Sequence, residues 1–140
     1  TRPEPCALAL LEAGAKVVAL KLGGDGCVIG DQEGFRHVPG FAVETRDTTG
    51  AGDTFAAGVI AGFLGGLDLC SAAVLGNAMG AMAAARVGAG TLIPWAQEVL
   101  ELLRNHQQGA SHRECEEAVR QSMNFVVALA RRLEEEGEPR

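Results

Sequence analysis

From Phe55 to Ala85 the chain carries a single charged residue, Asp68. No other feature constrains the fold as much. On both sides of Asp68 the apolar residues run around the whole helical wheel instead of forming one stripe. Helices of that kind sit inside a larger body. Thr54 to Leu64 predicts the first of them, ended by Gly65-Gly66. Asp68 or Ser71 is the cap expected for the second, which runs from Ala72 to Arg86. Neither half reaches the ~20 apolar residues of a membrane span. The small-residue spacings Gly58/Gly62/Gly66 and Gly76/Gly80 therefore read as close packing of buried helices rather than as membrane pairing.

The remainder of the chain is compatible with one domain of 140 residues, or a piece of one, since it begins at Thr1 without an initiator Met. Hydrophobic residues at 47% and charged residues at 21% support a packed core and argue against disorder. A net charge of −6 without a basic stripe leaves no surface for a nucleic acid or an anionic membrane. The four cysteines, Cys6, Cys27, Cys70 and Cys115, include no Cys-x-x-Cys pair, which argues against a zinc or redox motif. They are expected to be buried thiols in a reducing cytoplasm. His37, His106 and His112 show no ligand spacing and are expected at the surface.

Before the apolar tract, short elements alternate with turns. Ala7 to Ala13 predicts a helix stopped by Gly14, and Val17 to Leu20 a buried strand directly after it, the order of an α/β unit. Gly23 to Gly26 predicts a tight turn, with Cys27 to Ile29 returning as a second strand. Asp31 to Gly34 is a further turn, Phe35 to Val38 an exposed strand closed by Pro39-Gly40, and Phe41 to Glu44 one more strand. After the tract, Pro94 opens a helix from Trp95 to Leu103, with Trp95 as a core or rim anchor. Residues 1–104 form the main unit, 105–111 a polar linker, and 112–136 an amphipathic helix. Its stripe is Cys115, Val119, Met123, Val126, Ala130 and Leu133. This stripe can cover open core or join another copy into a homo-oligomer. The acidic run Glu134 to Glu136 sits unfavourably at a helix C-terminus and should fray.

The chemistry is concentrated in Asp47-Thr48-Thr49-Gly50-Ala51-Gly52-Asp53-Thr54-Phe55. A strand feeds a glycine-rich loop, which feeds the start of a buried helix. The first amides of a helix lack internal partners and carry partial positive charge. Gly50 and Gly52 let several amides converge on one anion, and Asp53 stands beside it to accept a proton from an attacking hydroxyl. Together these are the minimum apparatus for phosphoryl transfer to an alcohol. The plainer alternative makes Asp53 an ordinary helix N-cap. A dinucleotide fingerprint fails because Phe55 replaces its third glycine, and no Gly-Lys-Ser/Thr follows for a Walker-type loop. Lys21 can neutralise phosphates or stand solvated at its strand end.

The same nine residues resemble, over their whole length, the C-terminal signature of the PfkB (ribokinase-like) family of carbohydrate kinases. Lys21-Leu22-Gly23-Gly24-Asp25-Gly26 resembles the strand and glycine turn beside the nucleotide, and Val38-Pro39-Gly40-Phe41 the lead-in strand. Asn77 resembles a residue near the adenine, Arg86-Val87-Gly88-Ala89 the following loop, and Ile93-Pro94 the start of the closing helix. The likeness runs from about Ala7 to Leu103. It implies the C-terminal part of a three-layer α/β/α fold, with an extra C-terminal helix. It implies ATP with Mg²⁺, and a sugar as the phosphoryl acceptor. Asp53 would be the catalytic base, and the amides of Gly50, Ala51 and Gly52 the anion hole. Lys21, Gly23, Gly24, Gly26 and Asn77 would hold the nucleotide. Asp47, Thr49, Ala83, Arg86 and Gly88 would bound a site for a monovalent cation such as K⁺. The family's sugar-binding residues belong to an N-terminal half that this sequence does not include. The segment from His106 to Arg140 has no counterpart in the family. A binding module without catalysis, or an assembly fragment, is the alternative.

Overall fold

The computed structural model describes residues 3–87, 96–107 and 115–136. Helix α1 (Pro3–Glu12) begins four residues earlier than the apolar run suggests, with Pro3 and Pro5 in its first turn. Proline is tolerated there because those amides have no helical acceptor to lose. Gly14, at φ +106°, turns the chain out of the helix and into β1 (Val17–Lys21). Strands β2 (Cys27–Asp31) and β3 (Gly34–Val38) follow, and the three form an antiparallel sheet in the order β1-β2-β3. Lys21 pairs with Cys27 and Cys27 with Val38, so one end of the sheet gathers the residues that flank the glycine turn.

The pleat sorts β1 between two layers. Val18 and Leu20 pack with Ala7 and Leu11 of α1, whereas Val17 and Ala19 face the main core. Across that core lies α3 (Leu69–Ala84), against β2 and β3. Helix α2 (Ala51–Leu64) runs along α3, and α4 (Ala96–Gln107) and α5 (Glu116–Glu136) pack on α3 and on each other. Thus α3 is the central helix, buried from Ser71 through Ala78, as its uniform apolarity predicts. Its cap is Asp68, whose carboxylate accepts from the Ser71 amide at 2.9 Å. Helix α2 buries only Phe55, Gly58 and Gly62, and turns Ile60, Phe63 and Leu64 outward. The two helices approach closely through glycine. A Cβ on Gly58 would stand 2.9 Å from the Gly76 Cα atom.

Other elements also differ from expectation, α3 among them, which begins at Leu69 rather than Ala72. Phe41 to Glu44 is not a strand. Pro39 offers no amide to a ladder, and none of the described strands pairs with this segment. Helix α2 starts at Ala51 rather than Thr54, so half of the glycine-rich run is already helical. Helix α4 continues through Asn105 and His106 to Gln107. His106 is half-buried, its ring 4.5 Å from that of Phe41 in an edge-on contact. Helix α5 buries Ala118, Val119, Ser122 and Val126 in its first half, after the buried Cys115 that precedes it, while Leu129 and Leu133 are exposed. Trp95, Pro94, His112 and most of the expected linker lie outside the described residues.

Candidate functional site

A cavity of about 400 Å³ opens where the end of β1, the glycine turn, the segment after Pro39 and the first turn of α2 converge on α3. Its size falls in the range of small-molecule sites. Lys21, Gly23, Gly24 and Gly26 line one side, Gly40 to Val43 the next, and Asn77, Gly80, Ala81 and Ala84 the floor. Thr45, Thr48, Ala51, Gly52 and Phe55 complete it.

The wall next to the turn is built from backbone. Gly23 to Asp25 forms one turn of 3-10 helix, and Gly26 has φ +92°. A Cβ on Gly26 or on Gly40 would overlap backbone atoms of the other segment, so both positions need glycine. Asn77 fixes this crossing from below. Its Nδ2 donates to the carbonyls of Val38 (3.0 Å) and Pro39 (3.1 Å). Asn77 is 6% exposed, so these bonds are shielded from solvent. On the outer side His37 Nε2 donates to the Asp25 carbonyl at 2.8 Å.

The opposite wall is the start of α2. Gly50 caps it from the left-handed region, at φ +77°. The Thr54 amide and its Oγ1 both donate to the Gly50 carbonyl at 2.9 Å. The Thr49 amide donates to Asp47 Oδ1 at 2.9 Å, and the Ala51 amide to the Thr48 carbonyl at 3.1 Å. The amides of Gly52 and Asp53 have no backbone acceptor among the described residues. They carry the positive end of the helix dipole. Asp53 is the third residue of the helix, not its cap, and its side chain is exposed. Lys21 reaches across from β1, its Nζ donating to the Gly52 carbonyl at 3.3 Å.

The residues expected at a cation site come from two distant segments that the fold joins. The amides of Arg46 and Asp47 both donate to the Ala84 carbonyl, at 2.8 and 3.2 Å. The Arg86 amide donates to the Ala83 carbonyl at 3.2 Å, and its guanidinium pairs with Glu98 of α4. Gly88 lies outside the described residues. Among the described residues no three His, Cys, Asp or Glu side chains form a cluster able to hold a metal ion.

Of the residues singled out by sequence, Lys21, Gly23, Gly24, Gly26, Asn77, Ala51 and Gly52 line the cavity. Gly50 and Asp53 flank the lining residues Ala51 and Gly52 without lining the cavity themselves, and Asp47, Thr49, Ala83 and Arg86 also lie outside the lining. Sequence reasoning missed Ala42, Val43, Thr45, Gly80, Ala81 and Ala84. Gly80 and Ala84 carried a usable signal, since they follow Asn77 on the same helical face at steps of three and four residues. No helix among the described residues is long and apolar enough to cross a membrane.

A family model described as "pfkB family carbohydrate kinase" matches residues 4–96. The chain is 46% identical over 82 residues to inositol 3-kinase from Zea mays, covering 58% of this chain and 22% of that one. Ribokinase from Thermotoga maritima superimposes with a TM-score of 0.71 at 34% identity, covering 75% of this chain and 35% of that one. A putative Ribokinase II from E. coli, solved in complex with ATP and Mg²⁺, gives 0.70 at 33% identity, covering 76% and 34%. The fold is therefore ribokinase-like. The chain spans between about a fifth and a third of the length of the curated relatives it matches.

Proposed function

The chain belongs to the pfkB family of carbohydrate kinases, and from that premise we propose that it is the C-terminal, nucleotide-holding part of an enzyme that phosphorylates a sugar hydroxyl. One observation carries the reading. An exposed carboxylate, Asp53, directly follows the cavity-lining Ala51 and Gly52 in the first turn of α2, where two amides lack backbone acceptors among the described residues.

The residues present suit a nucleotide. Lys21, Gly23, Gly24 and Gly26 would take the phosphates and ribose along a wall without side-chain bulk, with Asn77 shaping the base end. Bound ATP would supply the phosphoryl group, with Mg²⁺ neutralising its charge. Mg²⁺ is commonly held by one or two carboxylates, phosphates and water. The absence of a three-residue acidic cluster among the described residues is compatible with that. The Gly52 and Asp53 amides, with Gly50 turning the chain toward them, would hold negative charge on the transferring group. Ala51, one of the amides expected to share that task, already donates to Thr48 at 3.1 Å, so its part is the smaller. Asp53 would accept the proton of the sugar hydroxyl, approaching from the open side. Asp47, Thr49, Ala83, Arg86 and Gly88 would bound the K⁺ site behind this turn. Arg46 and Asp47, hydrogen-bonded to Ala84, tie that region to the C-terminal end of α3.

On this reading the kinase part runs through the end of α4 at Gln107, beyond the expected boundary at 104, and α5 is a helical extension after it. The outward apolar face of α2, with Ile60, Phe63 and Leu64, supports a larger enzyme whose remaining half supplies the sugar site. Titration calorimetry with Mg-ATP, followed by a kinase assay against a panel of sugars, tests the proposal. Binding together with transfer supports it. Binding without transfer in the intact protein would leave a nucleotide-binding module instead.

A further inference from the structure

Two of the four cysteines, Cys70 and Cys115, meet where α3 and the start of α5 pack together. Cys27 starts β2, Cys70 lies in the first turn of α3, and Cys115 immediately precedes α5. The Sγ atoms of Cys70 and Cys115 are 4.0 Å apart, although 45 positions separate the residues in sequence. Cys115 is 4% exposed and Cys27 fully buried. Cys70 is half-buried and lines an open groove of about 410 Å³ beside Gly30 and Phe35 of the sheet. Polar contacts already register the two helices here. Ser122 Oγ donates to the Ser71 carbonyl at 2.8 Å, and Ser71 Oγ to Gln121 Oε1 at 3.0 Å.

We propose that Cys70 and Cys115 form a redox-sensitive tether that locks α5 onto α3. A disulfide needs its sulfurs at about 2.05 Å, so the pair must close by about 2 Å. The oxidant is a small-molecule disulfide of the glutathione type, which enters through the groove. The Cys70 thiol loses its proton to water, and its sulfur attacks one sulfur of that disulfide. The small disulfide bond breaks, a mixed disulfide forms, and one small thiolate leaves. The Cys115 thiol then loses its proton, and its sulfur attacks the Cys70 sulfur, expelling the second small thiolate. Two protein thiols become one S–S bond, and one small disulfide is reduced to two thiols. Cys27 takes no part, because burial pushes its thiol up to about 12 and keeps it protonated. The helix so locked is the one whose next turns, at Asn77 and Gly80, form the cavity floor.

The test is exposure of the purified chain to oxidised glutathione, then peptide mapping without reduction. The expected product is a linked Cys70–Cys115 peptide pair, with the chain lighter by two hydrogens. Hydrogen exchange in Glu116–Glu136 should slow, and Tm should rise by roughly 5 °C or more, both reversed by dithiothreitol. The link should vanish in Cys70→Ser and persist in Cys27→Ala. A lasting glutathione adduct on Cys70, a Cys27–Cys70 link, or a link between chains would each overturn the proposal. The mapping needs no variant, so a variant that fails to fold does not remove the test.

Discussion

The Nζ atom of Lys21 lies 3.3 Å from the carbonyl oxygen of Gly52, joining the end of β1 to the first turn of α2 across the cavity mouth. An ammonium group is thereby held beside two helix amides that have no backbone acceptor. Positive charge and open donors thus share the first turn of α2, as the proposed phosphoryl site requires. The exposed ammonium needs little rearrangement to turn from the carbonyl to a phosphate oxygen.

Lys21→Met should therefore weaken Mg-ATP binding by about tenfold, corresponding to ~1.4 kcal/mol. Folding stability should change by no more than about 0.5 kcal/mol, since the side chain is exposed. Calorimetry and urea unfolding on the same samples separate the two effects. Equal affinity in the variant would remove Lys21 from the nucleotide site.

The two neighbouring glycines Gly40 and Gly24 should respond in opposite ways. A Cβ on Gly40 meets the Gly24 carbonyl and stands 2.9 Å from the Gly26 amide, both backbone atoms that cannot move aside cheaply. A Cβ on Gly24 meets nothing within 4 Å. Gly40→Ala should cost about 2–3 kcal/mol, and Gly24→Ala less than about 0.5 kcal/mol. Urea midpoints decide it. Comparable losses at the two positions would contradict the backbone crossing described for this wall.

Stability should fall in alkaline solution through Cys27. Burial raises its thiol from 9.0 to about 12, and hydrogen bonding to Asn77 opposes only part of that shift. The unfolded chain thus loses this proton first as pH rises. The contribution is complete below pH 9 and is lost progressively toward pH 12. Its slope is at most about 1.4 kcal/mol per pH unit. Between pH 8 and 10 the urea midpoint of Cys27→Ala should decline less than that of the unmodified chain. In the folded chain at pH 9, iodoacetamide should label Cys6 well before Cys27. Equally fast labelling of Cys27 would show that it is not buried as described.

Much of this was readable in the sequence, for reasons that differ by element. The hairpins were legible because Gly23 to Gly26 and Asp31 to Gly34 leave the chain no choice but to turn. Helix α3 was legible because a helix apolar on every face has to be central. The start of α2 was misplaced by three residues, since Ala51, Gly52 and Asp53 look like loop until Gly50 is known to cap them. Phe41 to Val43 alternate like a strand, yet the fold gives them a cavity to line instead of a partner. The amphipathic stripe of α5 was visible, but not that only its first half is covered. The meeting of Cys70 with Cys115 had no local signal at all, because it depends on how α5 returns across α3.

The central claim is that Asp53 takes the proton of the attacking hydroxyl, and Asp53→Asn in the intact protein tests it most directly. The substitution keeps the shape and the open amides while removing the base. Phosphoryl transfer should fall by about 10²–10⁴-fold, with the Kd for Mg-ATP unchanged within about threefold, since no cavity-lining atom is altered. Turnover close to that of the unsubstituted protein would contradict the account.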